Sequence, residues 1–422
     1  MQSHLTLVGE KMSKLSGVRT INKDTMDALR AEDAHKWINL GGGNPVVLPE
    51  AEYMWRRYTH ELLKAPDFGE VICRYGASQG YEPLVEAVVD LFNSRYGWGI
   101  TRRNVLIAPG SQALIYFALN SFGGRAAEGR IQPIVLPLSP EYTGYGGTTI
   151  AEDTLKSYRP SIDILGPHRF KYRPDFKRLK IDGATGAVLF SRPSNPTGNV
   201  LTDGETQKIV DLAMVEEVPV LIDSAYAVPF PNLAFTEMTP IFKENVIHLI
   251  SFSKAGLPGE RIGVAIGSER YLSVLESFQA NANIHSSRYG QAIAAKAIKS
   301  GELAHISEAV IKPHYKRKLT LLEDAFEREL PEELPWYLHA GDGAMFAWLW
   351  MKDLPVSDVD LYERLKQDRV IVVPGSLFFP GLEEPWSHKQ QCIRISLTAT
   401  EEEIEQGVAT IAQVIGQVYA HW

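Results

Sequence analysis

The feature that most constrains the fold is a series of short, uninterrupted apolar runs that begins after Asn104. Runs of this kind, rather than strict alternation, are typical of strands buried on both faces of a mostly parallel sheet. Helical patterns separate several of them, as at Gln112–Phe122 and Glu205–Glu217. The series predicts an α/β fold with a doubly wound, mostly parallel sheet. The predicted strands are Val105–Ala108, Ile134–Leu136, Ala187–Phe190, Pro219–Ile222, Val246–Ile250 and Ile262–Ile266.

The length of the chain predicts more than one domain. It has 422 residues, which exceeds the size at which a single hydrophobic core stops growing. A helical pattern from Glu302 to Leu330 leads out of the strand series into a second, smaller α/β unit. We predict an N-terminal arm that also forms part of the small domain (1–44), a large ligand-binding domain (45–310) and a small C-terminal domain (311–422).

Polar clusters follow the predicted strands, where an open α/β sheet binds its ligands. Turn chemistry could explain any one of these clusters, but it does not readily explain all of them. We therefore predict a single ligand site at the carboxyl ends of the strands. The clusters are Gly110–Gln112, Glu141 with Tyr142, Ser194–Pro196, Asp223 with Tyr226, and Ser253 with Lys254.

Lys254 lies just after the predicted strand Val246–Ile250, in a turn that runs to Arg261. Ammonium groups are rarely left in apolar surroundings without a function. Desolvation lowers the pKa of a lysine, and the neutral amine can then attack a carbonyl to form a Schiff base. The alternative is a surface turn with a solvated Lys254 and a structural Arg261.

The same region holds groups that bind phosphate. Small hydroxyl residues, glycine backbone and a fixed guanidinium hold phosphate oxygens. The strand-to-helix junction at Gly110 adds backbone N–H groups and the helix dipole. Because pyridoxal phosphate requires an imine-forming amine beside a phosphate site, we predict that cofactor. The candidate phosphate ligands are Ser111, Gln112, Ser251, Ser253 and Arg261.

The remaining clusters suit the rest of such a site. Asp223 could keep a pyridine nitrogen protonated and so make the ring an electron sink, although a lone aspartate is more often an N-cap or an ion-pair partner. Tyr226 and Asn195 could donate to the phenolate oxygen of the cofactor, and Tyr142 could stack on its ring. Arg394 could bind a carboxylate bidentately, or it could be an ordinary surface arginine of a strand.

A competing motif suggests a different class of enzyme. The segment Gly76–Gly80 fits G-x-S-x-G, follows a possible strand Val71–Cys73 and precedes a helical pattern. As a nucleophile elbow it would make the chain an α/β-hydrolase with Ser78 as nucleophile and Gly41–Gly43 as an oxyanion loop. The elbow serine should belong to the sheet, however, and the strand series begins only at Asn104. The hydrolase remains the alternative from another class.

Composition narrows the possible partners. A net charge of −8 and a pI near 5.8 argue against a nucleic-acid surface. Cys73 and Cys392 form no zinc pattern, so we predict no metal. No apolar run reaches the roughly 18 residues of a membrane span. Residues 1–14 lack a signal-peptide layout, which predicts a cytoplasmic protein. Without a basic helix-turn-helix, a pyridoxal-dependent regulator is not favoured.

With these residues assembled, the chain resembles the fold-type I, pyridoxal-phosphate-dependent aminotransferases of class I/II. It has their motifs in their order, at Ser194–Gly198, Asp223–Tyr226 and Ser251–Lys254. Within that group it is most similar to the valine–pyruvate aminotransferases, on segments that span nearly the whole chain. These segments are Gly41–Pro45, Ser191–Asn199, Tyr226–Pro231, Trp348–Pro355, Val373–Gly375 and Phe379–Leu382.

The resemblance implies a role for each matching residue. Lys254 would form the Schiff base and move a proton, and Asp223 would pair with the pyridine nitrogen. Asn195 and Tyr226 would reach the phenolate oxygen, and Tyr142 would stack on the ring. The phosphate ligands would be Ser111, Gln112, Ser251, Ser253 and Arg261. The substrate would meet Gly43, Asn195 and Arg394.

The resemblance also implies a homodimer with shared active sites. Tyr75 resembles the tyrosine that reaches the cofactor phosphate of the neighbouring subunit, which would place Ser78 in an interface loop. The implied reaction is transamination between an aliphatic amino acid, of the valine or alanine type, and a 2-oxo acid such as pyruvate.

One loop departs from the valine–pyruvate pattern. Residues 283–290 carry His285 and Arg288 where that pattern is small and apolar. If Arg288 points into the site, an acidic donor becomes possible, and if it points to solvent, the apolar preference stands. An aromatic or acidic donor therefore remains an alternative.

Overall fold

A computed structural model describes residues 4–14, 17–30 and 34–420 of the chain. Helices and strands alternate over most of this length. The α-helices of the described residues are α1 (Leu7–Ser13), α2 (Gly17–Leu29), α3 (Pro49–Leu63), α4 (Phe68–Ile72), α5 (Glu82–Tyr96), α6 (Ser111–Phe122), α7 (Asp203–Val215), α8 (Glu269–Asn283), α9 (Arg288–Lys299), α10 (Glu302–Ile306), α11 (Lys312–Glu329), α12 (Asp358–Gln367) and α13 (Glu401–Ala420). The strands are β1 (Ile38–Asn39), β2 (Val105–Ala108), β3 (Gly124–Arg125), β4 (Ile131–Gln132), β5 (Ile134–Leu136), β6 (Leu155–Ser157), β7 (Ser161–Gly166), β8 (Arg169–Arg173), β9 (Ala187–Ser191), β10 (Val220–Asp223), β11 (Val246–Ser251), β12 (Gly263–Ile266), β13 (Trp336–His339), β14 (Phe346–Met351), β15 (Val370–Ile371), β16 (Val373–Pro374) and β17 (Cys392–Ser396).

The predicted mostly parallel sheet is confirmed. Its strand order is β2-β12-β11-β10-β9-β5-β6. Every pairing is parallel except those that β12 makes with β11 and β2. Each predicted apolar run forms one of these strands, and β2 and β5 have the predicted bounds.

Helices cover both faces of this sheet, as expected for a doubly wound core. Leu106 and Ala108 pack with apolar residues of α6 and α8 on one face. Val105 and Ile107 point the other way and pack with α5 and α9. Burying a leucine or valine side chain contributes about 1.5–3 kcal/mol, so a strand that is apolar at every position is stabilised from both sides.

A second sheet has the order β16-β17-β14-β13-β8-β7. Its hairpin β7–β8 comes from the middle of the chain and pairs with β13. The helix that begins at Glu302 continues through a π-helical segment, Ser307–Ile311, to Glu329. This continuous helix confirms the helical pattern predicted there, whereas the domain boundaries 1–44, 45–310 and 311–422 stay predictions.

The possible strand Val71–Cys73 is wrong, because Val71 lies in helix α4. Val71 is the buried residue of that short helix, so its apolar character serves helix packing. Ser78 therefore does not follow a strand, as a nucleophile elbow requires. In the described part of the chain, no helix has the length and apolarity needed to cross a membrane.

Candidate active site

One cavity of about 720 Å³ lies where the strands of the first sheet end. All of the site residues predicted from the sequence line it, except Tyr75. They are Gly43, Ser111, Gln112, Tyr142, Asn195, Asp223, Tyr226, Ser251, Ser253, Lys254, Arg261 and Arg394. Further wall residues, which the sequence analysis did not single out, are Ile21, Thr25, Met26, Asn39, Phe346 and Thr398.

Lys254 sits in a single 3₁₀ turn, Ser253–Ala255, directly after β11. Its Nζ donates to the carbonyl oxygen of Gly43 at 2.7 Å, across the cavity. Burial, with the positive charges of Arg394 and Arg261, lowers the pKa of Lys254 to about 8, although Asp223 acts in the opposite direction. About a tenth of the amine is therefore neutral, and nucleophilic, near pH 7, far more than for a lysine of ordinary pKa.

Asp223 is the last residue of β10 and is 7% exposed. Its Oδ2 accepts a hydrogen bond from the Tyr145 hydroxyl at 2.9 Å, and its Oδ1 accepts one from the Ala225 N–H at 3.1 Å. Burial raises the pKa of Asp223, against these bonds and the nearby charge of Lys254. Among the described residues no cation bonds this carboxylate directly. A cationic ligand atom in the cavity would stabilise it.

The N-terminus of α6 forms an anion-binding corner of the cavity. The helix starts after Gly110, whose φ of 93° suits glycine. A Cβ on Gly110 would lie 2.4 Å from Nη2 of Arg261, so the guanidinium packs directly on this turn. Nη1 of Arg261 donates to the Ser253 hydroxyl at 3.3 Å, and the Ser253 N–H donates to the Ser251 hydroxyl at 3.1 Å. Serine hydroxyls, a guanidinium and the first N–H groups of a helix suit a phosphate.

Arg394 lies on β17 and is 4% exposed. Its Nη1 donates to Oδ1 of Asn195 at 2.9 Å, and its Nη2 donates to the Gly41 carbonyl at 2.8 Å. The guanidinium carbon is 4.1 Å from the ring centroid of Phe346. Within the described structure, Nε of Arg394 is buried without a hydrogen-bond partner. A carboxylate that enters the cavity would supply the missing acceptor.

Two tyrosines place rings at the cavity wall. Tyr142 folds over Gly144, where a Cβ would lie 2.3 Å from its Cε1 and would displace the ring. The Tyr142 ring also meets the edge of Tyr145, with centroids 5.4 Å apart. The ring centroid of Tyr226 is 6.0 Å from Nζ of Lys254, and burial raises the pKa of its hydroxyl. Tyr226 therefore stays a neutral hydrogen-bond donor beside the amine.

Several parts of this site are not predicted from the sequence. Tyr145, which bonds Asp223, was detectable as a second aromatic three residues after Tyr142. Glu141 follows a predicted strand but has no predicted role, and in the structure it is bonded to Ser191. No sequence feature predicts that α2 forms part of the cavity wall, because the amphipathic pattern of a helix does not show which part of the protein its apolar face packs against.

Tyr75 and Ser78 lie outside the cavity. Tyr75 is 82% exposed, and its ring centroid is 5.9 Å from that of His285. Ser78 donates to Oε1 of Glu276 at 2.5 Å. As far as the structure describes the chain, the partner of that hydroxyl is a carboxylate and not a histidine base. The hydrolase alternative is therefore not favoured.

Comparison with known proteins agrees with this geometry. Residues 164–411 match the family model "Aminotransferase class I and II". The chain is 38% identical to the valine–pyruvate aminotransferase of Escherichia coli, over 98% of this chain and 99% of that protein. The crystal structure of valine–pyruvate aminotransferase from Salmonella typhimurium is 35% identical, with a TM-score of 0.87 over 96% of this chain and 100% of that one.

A crystal structure of a candidate amino-acid aminotransferase from Psychrobacter arcticum superposes with a TM-score of 0.95 at 32% identity, and the match covers 100% of both chains. These similarities extend over the whole length of the chain and are not confined to the motifs. The chain therefore belongs to the class I and II aminotransferases and has their fold-type I architecture.

Proposed function

We propose that this aminotransferase binds pyridoxal 5'-phosphate and transfers an amino group between an aliphatic amino acid and a 2-oxo acid such as pyruvate. The observation that carries the proposal is the placement of Lys254 between Asp223 and Arg394, in a cavity with an anion-binding corner. Two groups of the cavity have no complement among the described residues, and each matches one part of the cofactor or substrate. Within that part of the chain, Asp223 has no bonded cation and Nε of Arg394 has no acceptor.

The cavity residues fit this cofactor. Asp223 would hold the proton on the ring nitrogen, Tyr142 would cover the ring, and Asn195 and Tyr226 would meet the phenolate oxygen. Bound there, pyridoxal phosphate supplies an aldehyde that condenses with amines and a cationic ring that accepts the electron pair left on the substrate Cα. The phosphate would be bound by Ser111, Gln112, Ser251, Ser253 and Arg261.

Lys254 would supply the proton transfer. Its lowered pKa makes it a competent base for the Cα proton of the substrate near neutral pH. Arg394 would hold the α-carboxylate through Nε and a terminal nitrogen, in reach of Lys254. The aromatic faces of Phe346 and Phe378, 4.1 and 5.0 Å from the guanidinium carbon, fix that side chain. The substrate Cα would then lie between the carboxylate anchor and the base, with Gly43 leaving room beside it.

The charges of the cavity favour an aliphatic donor. Its charged wall residues, within the described chain, are Asp223, Lys254, Arg261 and Arg394, and each already has a role. Arg288 does not add a further cation from the same chain. Its Nη1 donates to the carbonyls of Glu70 and Arg74 at 2.9 and 3.4 Å.

The part of the wall left for a donor side chain is largely apolar. It includes Ile21 and Met26 of α2 and the ring of Phe346, with Thr25 and Thr398 as small polar neighbours. The relative from Escherichia coli named for valine and pyruvate supports the same choice. Because one methylene changes discrimination by about 1–3 kcal/mol, alanine and other aliphatic donors would overlap with valine.

We further propose that the enzyme is a homodimer in which Tyr75 reaches the phosphate of the partner's cofactor. Its exposed ring meets the ring of His285, and Ile72 and Ile284, close to these two residues in sequence, are 44% and 55% exposed. Apolar side chains grouped in this way support an interface. The net charge of −8 argues against a nucleic-acid partner. The cytoplasmic location stays a prediction.

An absorbance spectrum of the purified protein tests this function. We expect a cofactor band that bleaches when L-valine is added and returns when pyruvate is added. A band that ignores valine but bleaches with glutamate, aspartate or an aromatic amino acid would keep the aminotransferase and overturn the aliphatic donor. No band, even after added pyridoxal phosphate, would contradict the cofactor proposal.

A further inference from the structure

A second carboxyl group, that of Glu141, is buried next to the wall that carries Asp223. Glu141 is 1% exposed, in the loop that follows β5. Its Oε1 accepts a hydrogen bond from the Ser191 N–H at 2.9 Å, and its Oε2 lies 2.5 Å from the Ser191 hydroxyl. The N–H of Tyr142 donates to the same Oε2 at 3.3 Å. Glu141 thus joins the end of β9 to the tyrosine that covers the cavity.

The backbone of Glu141 makes a further link, because its N–H donates to the Phe378 carbonyl at 2.8 Å. Phe378 also lies under the guanidinium of Arg394. Glu141 therefore contacts segments that build both the cofactor wall and the substrate anchor. Such a residue is well placed to position them.

Glu141 reaches Asp223 through Ser191, the last residue of β9, which lies next to β10 in the sheet. Ser191, to which Glu141 is bonded, is the direct partner of Asp223 in the register of β9 and β10. Two buried carboxyl groups this close do not both ionise readily, because each negative charge opposes the other. One of them should therefore retain its proton.

The surroundings decide which carboxyl group keeps the proton. Asp223 accepts two hydrogen bonds and feels the positive charge of Lys254. In the part of the chain that the structure describes, no lysine, arginine or histidine pairs with Glu141. Burial raises the pKa of Glu141 to about 8 and Asp223 adds to the rise, which outweighs the three hydrogen bonds that Glu141 accepts from Ser191 and Tyr142.

The other titratable groups near Glu141 do not change this conclusion. Tyr145 and Tyr142 lie on the same turn, and burial raises the pKa of both hydroxyls. Tyr172 of β8 lies across a small cavity from Glu141, and burial raises its pKa as well. All three rings are therefore neutral at physiological pH and supply no cation.

The small cavity beside Glu141 has room for a water molecule that accepts a hydrogen bond from the protonated carboxyl group. It has a volume of about 10 Å³, which is enough for one water molecule. Among its described walls, the Ser194 hydroxyl and Oδ1 of Asn199 are buried without partners. A water molecule there would satisfy both groups and could accept from a protonated Glu141.

We propose that Glu141 is a positioning residue that stays protonated at neutral pH, so that Asp223 carries the only negative charge of this buried pair. The consequence for the cofactor rests on the proposed function: a single carboxylate faces the ring nitrogen, and Tyr142 and Ser191 are held by a neutral group. Ionisation of Glu141 at alkaline pH would introduce a second charge and loosen that wall.

The test is an infrared difference spectrum of the full-length protein against Glu141→Gln, recorded both with and without pyridoxal phosphate. We expect the C=O band of a protonated carboxyl group at pH 6, lost in the variant and lost in the wild type as the pH rises through about 8. The matched control is Glu276→Gln, which removes a half-buried glutamate bonded to Ser78 and should leave the band unchanged.

Turnover provides a second readout. Glu141→Gln copies the neutral acid, so it should keep kcat within about threefold and flatten the alkaline limb of the pH profile, whereas Glu141→Ala should lose at least tenfold. The absence of the band at pH 6 would overturn the proposal, and so would a Glu141→Gln variant as impaired as Glu141→Ala. If the protein bound no pyridoxal phosphate, the proposed function would fail while the band in the cofactor-free protein would still decide the state of Glu141.

Discussion

The two ends of the cavity are built in different ways. The cofactor end lies at the carboxyl ends of three strands of one sheet, because Asp223 ends β10, Lys254 follows β11 and α6 begins after β2. The substrate end is assembled from remote parts of the chain. These parts are helix α2, the 39–44 segment, β14 and β17.

This difference separates two kinds of chemistry. A sheet whose strands are buried on both faces holds its ends rigidly, which suits groups that must act identically on every substrate. A wall made of separate elements can vary in shape without disturbing the base or the electron sink. Substitutions at the cofactor end should therefore affect all donors equally, and those at the substrate end should separate one donor from another.

The largest effect should come from Lys254→Ala. A positioned general base contributes about 10²–10⁴-fold, and this change also removes the amine that would bind the cofactor covalently. We expect kcat/KM for L-valine to fall by on the order of 10⁴-fold or more, with cofactor binding partly retained. The measurement is the initial rate with L-valine and pyruvate, together with the absorbance of bound cofactor.

Near-normal activity of Lys254→Ala would show that Lys254 is not the general base, and the functional difference between the two ends of the cavity would then be wrong. Lys312→Ala is a suitable control, because Lys312 pairs with Glu308 on a helix away from the cavity. The control should leave both rate and spectrum unchanged.

Asp223→Ala should have the next largest effect. Without its negative charge the ring nitrogen would lose its proton and with it the capacity to accept electrons. We expect a loss of about 10²–10³-fold, the range found when a preorganised electrostatic group is removed. Valine, alanine and glutamate should all be affected to the same degree. A loss below tenfold, or one confined to a single donor, would contradict the role given to this residue.

Much of the cofactor end could be predicted because its information is local. Val220–Asp223 is an apolar run that ends in a carboxylate, and both the strand and the position of Asp223 follow from those residues. The contact between Arg394 and Asn195 joins residues far apart in sequence, so only the folded chain reveals it. The same holds for α2, whose residues Ile21 and Thr25 carry no sign of the cavity that they line.

The hairpin β7–β8 is a further example. Its first strand is mostly exposed, and its second joins β13 from a distant part of the chain. Apolar runs identify strands that are buried on both faces, and they miss edge strands, which bury fewer side chains. Prediction from sequence was therefore strongest where the fold is doubly buried and weakest where elements meet over long distances.

Arg394→Ala tests the border between the two ends. It removes a buried guanidinium that would bind every α-carboxylate. The transition state should therefore lose about 2 kcal/mol or more of stabilisation, which lowers kcat/KM roughly 30-fold for all donors. Reconstitution with pyridoxal phosphate at a pH well above the pKa of Lys254 should be unchanged, because Arg394 does not touch the anion-binding corner and its charge acts on the amine only through that pKa. Arg394→Lys keeps the charge without the bidentate geometry and should recover only part of the loss. Impaired reconstitution in both variants would assign Arg394 to the cofactor end.

The pH dependence of reconstitution isolates the cofactor end without substrate. Because burial and two nearby cations lower the pKa of Lys254 to about 8, the neutral amine increases up to that pH and then reaches a plateau. The rate of absorbance change on adding pyridoxal phosphate should rise about tenfold per unit below that pKa. Lys254→Ala should show no such rise, and a rise centred above pH 10 in the wild type would place the amine in solvent.

Thr25→Val should have the smallest effect and should act on the substrate end alone. Oγ1 of Thr25 is buried without a hydrogen-bond partner in the described structure, so replacing the hydroxyl by a methyl group of similar shape should not destabilise the fold. The added apolar surface should favour valine over threonine as donor by about 1 kcal/mol, roughly fivefold. The measurement is the ratio of kcat/KM for the two donors, with Thr25→Ser as the variant that should leave the ratio near its wild-type value. A change in cofactor affinity with an unchanged ratio would show that α2 serves the cofactor end, and the division of the cavity into two independently variable ends would then be wrong.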